Sequence, residues 1–158
     1  MEGARAATEC DLPRLVELCR QLLAELRSQD RGGPLFVVRE GRAEPVEDSL
    51  RAEVLDPACT VVVGTIDEVV VGYATGRVDA LRDGSRLGLI DELFVEPEAR
   101  AVGVGEAMMQ PLLTWFRSRG CLGVDSTALP GLRATKNFFE ESGFSARLIV
   151  MHHRMGEE

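Results

Sequence analysis

Apolar side chains recur at helical spacing along the first part of the chain. Leu12, Leu15, Val16, Cys19, Leu22, Leu23 and Leu26 fall on one helix face. Asp11 stands where an N-cap belongs, and Pro13 is tolerated in the first turn. The helix should stop near Ser28, because Asp30-Arg31-Gly32-Gly33-Pro34 has the composition of a loop. A short strand over Arg5 to Thr8 is expected ahead of it. Val46, Leu50, Val54 and Leu55 mark one side of a shorter helix from Pro45 to Leu55. The pattern then turns β-branched. Thr60 to Thr65 and Val69 to Val78 read as strands joined by Asp67-Glu68, an antiparallel hairpin. A third strand, Leu87 to Val95, ends at Pro97.

The helical period returns with Val104, Ala107, Met108, Pro111, Leu112, Trp115 and Phe116. That helix should run to about Arg119, bend at Pro111 and stop at Gly120. A strand from Leu122 to Ala128, a helix from Arg133 to Ser142 stopped by Gly143, and a strand from Ala146 to Met155 complete the order. No repeat or low-complexity segment interrupts it. The layout predicts an α/β fold: a mixed, mostly antiparallel central sheet with helices on both faces. At 158 residues the chain suits one domain, 1–158.

Composition narrows the function classes. No stretch reaches the roughly 18 to 20 uncharged apolar residues of a membrane span. Met1 to Cys10 carries Glu2, Arg5 and Glu9, unlike a signal peptide, so a cytoplasmic protein without a membrane partner is expected. A net charge of -8 repels phosphate backbones and argues against nucleic acid, while it suits a cationic substrate. Cys10, Cys19, Cys59 and Cys121 form no CxxC pair, and His152 and His153 are adjacent, so no metal site is expected. Cys19 is expected in the core.

The chemistry concentrates between Leu89 and Gln110. A strand runs into a turn, then into Arg100-Ala101-Val102-Gly103-Val104-Gly105, then into the first turn of an amphipathic helix. The first amides of a helix lack internal partners and, with the helix dipole, make an anion site. Glycines let a ligand approach the backbone, and Arg100 adds a positive charge suited to phosphate oxygens. The glycine spacing alone is equally explained by a tight strand-to-helix turn. A dinucleotide-binding loop is disfavoured by Met108 where a third glycine belongs, and a Walker loop by the lack of Gly-Lys-Ser/Thr.

The run Leu93-Phe94-Val95-Glu96-Pro97-Glu98-Ala99-Arg100-Ala101-Val102-Gly103-Val104-Gly105 resembles the coenzyme-A-binding motif of the GCN5-related N-acetyltransferase family. Phe138-Phe139-Glu140-Glu141-Ser142-Gly143-Phe144 falls where that family places its last helix, so the resemblance covers nearly the whole chain. It implies a sheet whose strands splay to admit acetyl-CoA as co-substrate. Backbone groups of Leu93, Phe94 and Val95 would pair with the pantetheine arm. The amides from Val102 through Gly103, Val104 and Gly105 to Glu106, with Ala101 and Arg100 beside them, would hold the pyrophosphate. The reaction it implies is direct attack of a primary amine on the thioester. The acceptor would be a small molecule, a protein N-terminus or a lysine, and a homodimer is compatible with the family.

An amine is mostly protonated at neutral pH, so a base is needed. Glu92 is the first candidate, with an ion-paired strand carboxylate as the competing explanation. Asp91 points to the opposite face unless a bulge intervenes. Asp125 and Thr127 are further candidates. The family's usual tyrosine acid is replaced by Phe139, and its asparagine by Leu132. Phe139 is expected near the cofactor sulfur, where it cannot donate a proton. Tyr73 is a weak substitute, and His152 or His153 reaches the acceptor cleft only if the last strand presents it. The stretch from Ser28 to Pro45, with Phe36, Arg39, Glu40, Arg42 and Glu44, should line the acceptor side. Two alternatives stand beside catalysis: a non-catalytic acyl-CoA-binding or sensing module of the same fold, and a different nucleotide fold that would bind ATP or NAD.

Overall fold

The β-branched runs build the centre of the sheet in the computed structural model, which describes residues 1–156. β2 (Cys59–Ile66) and β3 (Val69–Ala80) pair antiparallel from Cys59↔Arg77 to Ile66↔Val69. Asp67 and Glu68, at φ 48° and 70°, make the two-residue turn whose left-handed backbone matches strand twist. β4 (Arg86–Val95) pairs antiparallel with β3, and β1 (Glu2–Ala6) with β2. β5 (Gly123–Ser126) lies parallel to β4, giving the order β1-β2-β3-β4-β5 in an open mixed sheet.

Alternation along the strands makes two cores. Val61, Val63, Tyr73 and Phe94 face α1 (Leu12–Arg27) and α3 (Val46–Leu55), meeting Leu15, Leu18, Cys19, Leu22, Val46 and Leu50. Val62, Ala74 and Ile90 face α4 (Val104–Ser118) and α5 (Arg133–Glu141), meeting Val104, Met108, Leu112, Phe116 and Phe139. Each fully buried Leu or Phe contributes about 1.5–3 kcal/mol by leaving water. α4 lies close on the sheet because Gly64 and Gly88 have no side chain. A Cβ at either would stand 2.5 Å from Val104 or Phe116. Among the described residues no helix is long and apolar enough to cross a membrane.

Four expectations need correcting. The first strand spans Glu2–Ala6, not Arg5 to Thr8, because its place is set by pairing Glu2↔Ile66 through Ala6↔Val62 on the edge of β2. Asp11 precedes α1 but does not cap it. Its carboxylate accepts from Arg5 (2.8 and 2.9 Å) and from the Thr8 amide (2.8 Å), and the Arg5 contact holds its pKa below the usual range. The expected loop after Ser28 contains α2 (Gly33–Arg39), since Pro34 sits in the first turn, where its missing N–H costs nothing. Ala146 to Met155 forms no strand. Arg147 reaches Asp125 through its side chain (2.8 and 3.0 Å), but no backbone ladder follows, and strand propensity without a paired edge makes no strand. His152 and His153 are exposed there and do not line the main cavity described below. α4 itself continues through Pro111 as one helix.

Candidate active site

The site begins where β4 and β5 part. They pair only from Leu87↔Gly123 to Ile90↔Ser126, after which β4 continues alone to Val95. Thr127, Ala128 and Leu129 instead line a cavity of about 720 Å³ opposite Leu93, Phe94 and Val95. The β5-facing backbone of Leu93 to Val95 thus has no ladder partner and fronts the cavity, as an extended acyl-pantetheine arm requires. A cavity of this size accommodates a ligand arm together with a small acceptor.

At one end stands the first turn of α4. Gly103, at φ 93°, is the residue before that helix and adopts the left-handed backbone it needs. Ala101, Gly103, Val104, Gly105 and Glu106 line the cavity; Val102 is exposed and does not. Gly105 has a second reason to be glycine: a Cβ would lie 2.8 Å from Cε1 of Phe138 on α5. The open amides of this turn fit an anionic group, as expected for pyrophosphate. Arg100 is committed elsewhere. Its Nε donates to the Val95 carbonyl (2.8 Å), its two terminal nitrogens bond Glu25 (3.0 Å each), and it lies 5.4 Å from the Phe94 ring centroid. It braces the loop to α1, and reaching a phosphate would require leaving Glu25.

Ala101 adopts φ 65° without being glycine. A left-handed alanine costs about 1–2 kcal/mol, partly offset by the greater chain entropy of glycine. Ala101→Gly should therefore raise stability by about 1 kcal/mol, read as a higher melting temperature, with affinity for acetyl-CoA unchanged.

At the other end a β-bulge decides the chemistry. Thr75 pairs with Glu92 and Gly76 with Ile90, so Asp91 is an extra residue on β4. If β4 kept regular alternation through Asp91, Glu92 would share the face of Ile90, under α4; the bulge instead turns Asp91 and Glu92 both toward the α1–α3 side. Glu92, 8% exposed, accepts from Arg42 Nε (3.0 Å) and Thr75 Oγ1 (3.3 Å), and Cys19 Sγ lies 3.7 Å from its second oxygen. Arg42, 4% exposed, also bonds Glu53 and the Ser49 hydroxyl (3.2 Å). Burial opposes its charge, but Glu53 and Glu92 outweigh that and raise its pKa further. Asp91 sits at the rim with Arg77 at 2.9 Å, yet burial wins and raises its pKa. Burial raises Glu53 likewise.

The structure thus brings Glu92 and Asp91 together at the cavity with Thr127, and leaves Asp125 outside it, paired with Arg147. Tyr73 is wholly buried below the sheet with its hydroxyl unpartnered, and does not line the cavity. Phe139 borders it, packed edge-on against Phe138 and Phe144 at 5.4 and 5.1 Å between centroids. The pairing of Arg42 with Glu92 and Glu53 has no local sequence signal, because the three residues come from a loop, a strand and a helix. The cavity's charged lining is seven carboxylates (Glu25, Glu40, Glu53, Asp91, Glu92, Glu106, Glu141) against Arg42, Arg77 and Arg100, an excess that attracts cations.

Solved structures share this architecture. AAC(6')-Iy in complex with the bisubstrate analog CoA-S-monomethyl-acetylneamine superposes with a TM-score of 0.74 at 18% identity, over 99% of each chain. An aminoglycoside acetyltransferase from an uncultured soil metagenomic sample, in complex with sisomicin, gives 0.71 at 18% identity, over 99% of this chain and 97% of that one. An acetyltransferase of Trypanosoma brucei gives 0.67 at 23% identity, over 98% and 100%. No curated protein matches the sequence. The model of the acetyltransferase (GNAT) family matches residues 18–144, most of the chain and every residue that lines the cavity, and the protein belongs to that family of acetyl-CoA-dependent transferases.

Proposed function

We propose that this protein transfers the acetyl group of acetyl-CoA to a primary amine by direct attack, using the carboxylates at the β4 bulge to prepare the nucleophile. The observation that carries the reading is the continuity of one cavity from the first turn of α4 to Asp91 and Glu92. Acetyl-CoA, when bound, supplies an activated acyl group; the chain supplies position and proton acceptors. Complexes of related folds with an acetylneamine conjugate and with sisomicin support an amine acceptor.

Glu92 is held rigid by Arg42 and Thr75, with its second oxygen also accepting from Arg42 Nε (3.3 Å), and it contributes negative charge beside the ammonium. Asp91, with its pKa raised by burial, is the better proton acceptor, directly or through one water. The thiolate leaves without a tyrosine at position 139. With a free-thiol pKa of about 8.5 it is a tolerable leaving group near neutrality, and solvent can reprotonate it.

The test is thiol release from acetyl-CoA against pH with a saturating amine. Rate should fall with acidity through a pKa above the usual carboxylate range, because Asp91 must be deprotonated to act. Asp91→Asn should remove that limb and lower kcat, whereas Glu92→Gln should raise KM for the amine. An unaltered profile in Asp91→Asn would reassign Asp91 to its pairing with Arg77. The absence of a hydroxyl at 139 favours the alternative of a non-catalytic acyl-CoA-binding module, which predicts acetyl-CoA binding with no thiol release from any amine.

A further inference from the structure

The order of polar and apolar side chains along α1 bears on what the amine is attached to. α1 touches the carboxylate pair at Cys19, beside Glu92. One turn onward Leu22 and Leu23 line the cavity, and Leu26 follows on the next. With about 5.4 Å per turn, a body attached to a nitrogen held at Glu92 meets hydrocarbon from its second or third carbon onward. Phe36 of α2 adds an aromatic wall to the same cavity. The acidic cavity-lining side chains on α1 and at the end of α2 are engaged: Glu25 with Arg100 and Glu40 with Arg39. A second ammonium on the acceptor would therefore find no free carboxylate there, and ring hydroxyls would lose water for leucine side chains.

Resting on the acetyl-transfer reading above, we propose that the acceptor is a monocationic primary amine on an apolar body, an arylalkyl- or alkylamine. Its ammonium would sit at Asp91 and Glu92, and its hydrocarbon on Leu22, Leu23, Leu26 and Phe36. The ammonium gives one proton to the carboxylate, its freed lone pair forms the N–C bond, and the C–S bond breaks with the electron pair leaving on sulfur. The acylated nitrogen loses its second proton to solvent, the thiolate takes one proton from solvent, and the carboxylate releases its own. One ammonium and one acetyl-CoA thus give one amide, one free coenzyme A thiol and one proton.

The experiment compares kcat/KM at fixed acetyl-CoA for 2-phenylethylamine, hexylamine, ethanolamine, spermidine and sisomicin, with a thermal shift by acetyl-CoA recorded on the same preparation. Burial of a ring or a six-carbon chain should favour the first two over ethanolamine by about 10- to 100-fold, with spermidine and sisomicin no better than ethanolamine. Phe36→Ala should shrink the advantage of 2-phenylethylamine to within about 3-fold while the acetyl-CoA shift is retained. Preference for spermidine or sisomicin, a flat panel, or a shift without turnover of any amine overturns the proposal. No shift with acetyl-CoA would instead remove the acetyl-transfer reading on which it rests.

Discussion

Arg42→Met should cost about 3–5 kcal/mol of stability, the range seen when one partner of a buried ion pair is removed. The side chain is 4% exposed and holds Glu92, 8% exposed, together with Glu53 and Ser49. Methionine fills much of the volume but leaves two carboxylates facing each other without a cation. Urea unfolding at neutral pH measures the loss. The deficit should shrink as pH falls. Burial already pushes the Glu53 pKa up, and without Arg42 it must rise further. A group whose folded pKa exceeds its unfolded one makes the native state take up protons, so stability returns as pH drops through the folded value. An unchanged unfolding midpoint would mean that desolvating the guanidinium cancels all it contributes. Catalysis should suffer as well, because Glu92 loses the contact that aims it.

Gly105→Val should weaken acetyl-CoA binding by about 10²-fold, the scale of a displacement near 1 Å in a positioned site. A Cβ at 105 lies 2.8 Å from the Phe138 ring, and a branched side chain adds two more carbons in the same place. Phe138 is a half-buried side chain on α5 and can yield, so the fold should survive with a loss of about 1–3 kcal/mol. The first turn of α4 cannot move off that ring and keep its amides aimed into the cavity. Titration calorimetry with acetyl-CoA, paired with thermal melting, reads both effects. Undiminished affinity would place the phosphates elsewhere than on this turn.

The elements were largely legible because each signal was local. The stripe from Leu12 to Leu26 is α1, the valine runs are β2 and β3, and Val104 to Phe116 is α4. Where a decision depended on distant partners, the sequence was silent or misleading. Gly32-Gly33-Pro34 looks the same whether a loop ends or a helix starts. Leu148 to Met151 has strand character, yet nothing nearby in sequence tells whether an edge awaits it. The site divides the same way. The Arg100-to-Gly105 motif was visible as a string, but the pairing of Arg100 with Glu25, and the capture of Glu92 by an arginine fifty residues away, were not.

The extra residue at position 91 adds a second carboxylate to a strand whose phase does not depend on it. Replacing Asp91 changes one functional group and leaves every neighbour facing as before. Removing it would close the bulge, with Ile90 still opposite Gly76 and Glu92 still opposite Thr75, and would cost the site one of its two adjacent carboxylates. Substitution and deletion at 91 therefore converge: each retunes or removes one half of the acid–base pair while Leu93 to Val95 keep the edge that fronts the cavity. In descent, the bulge residue can be gained or lost without resetting Glu92, so it is a separable part of the strand.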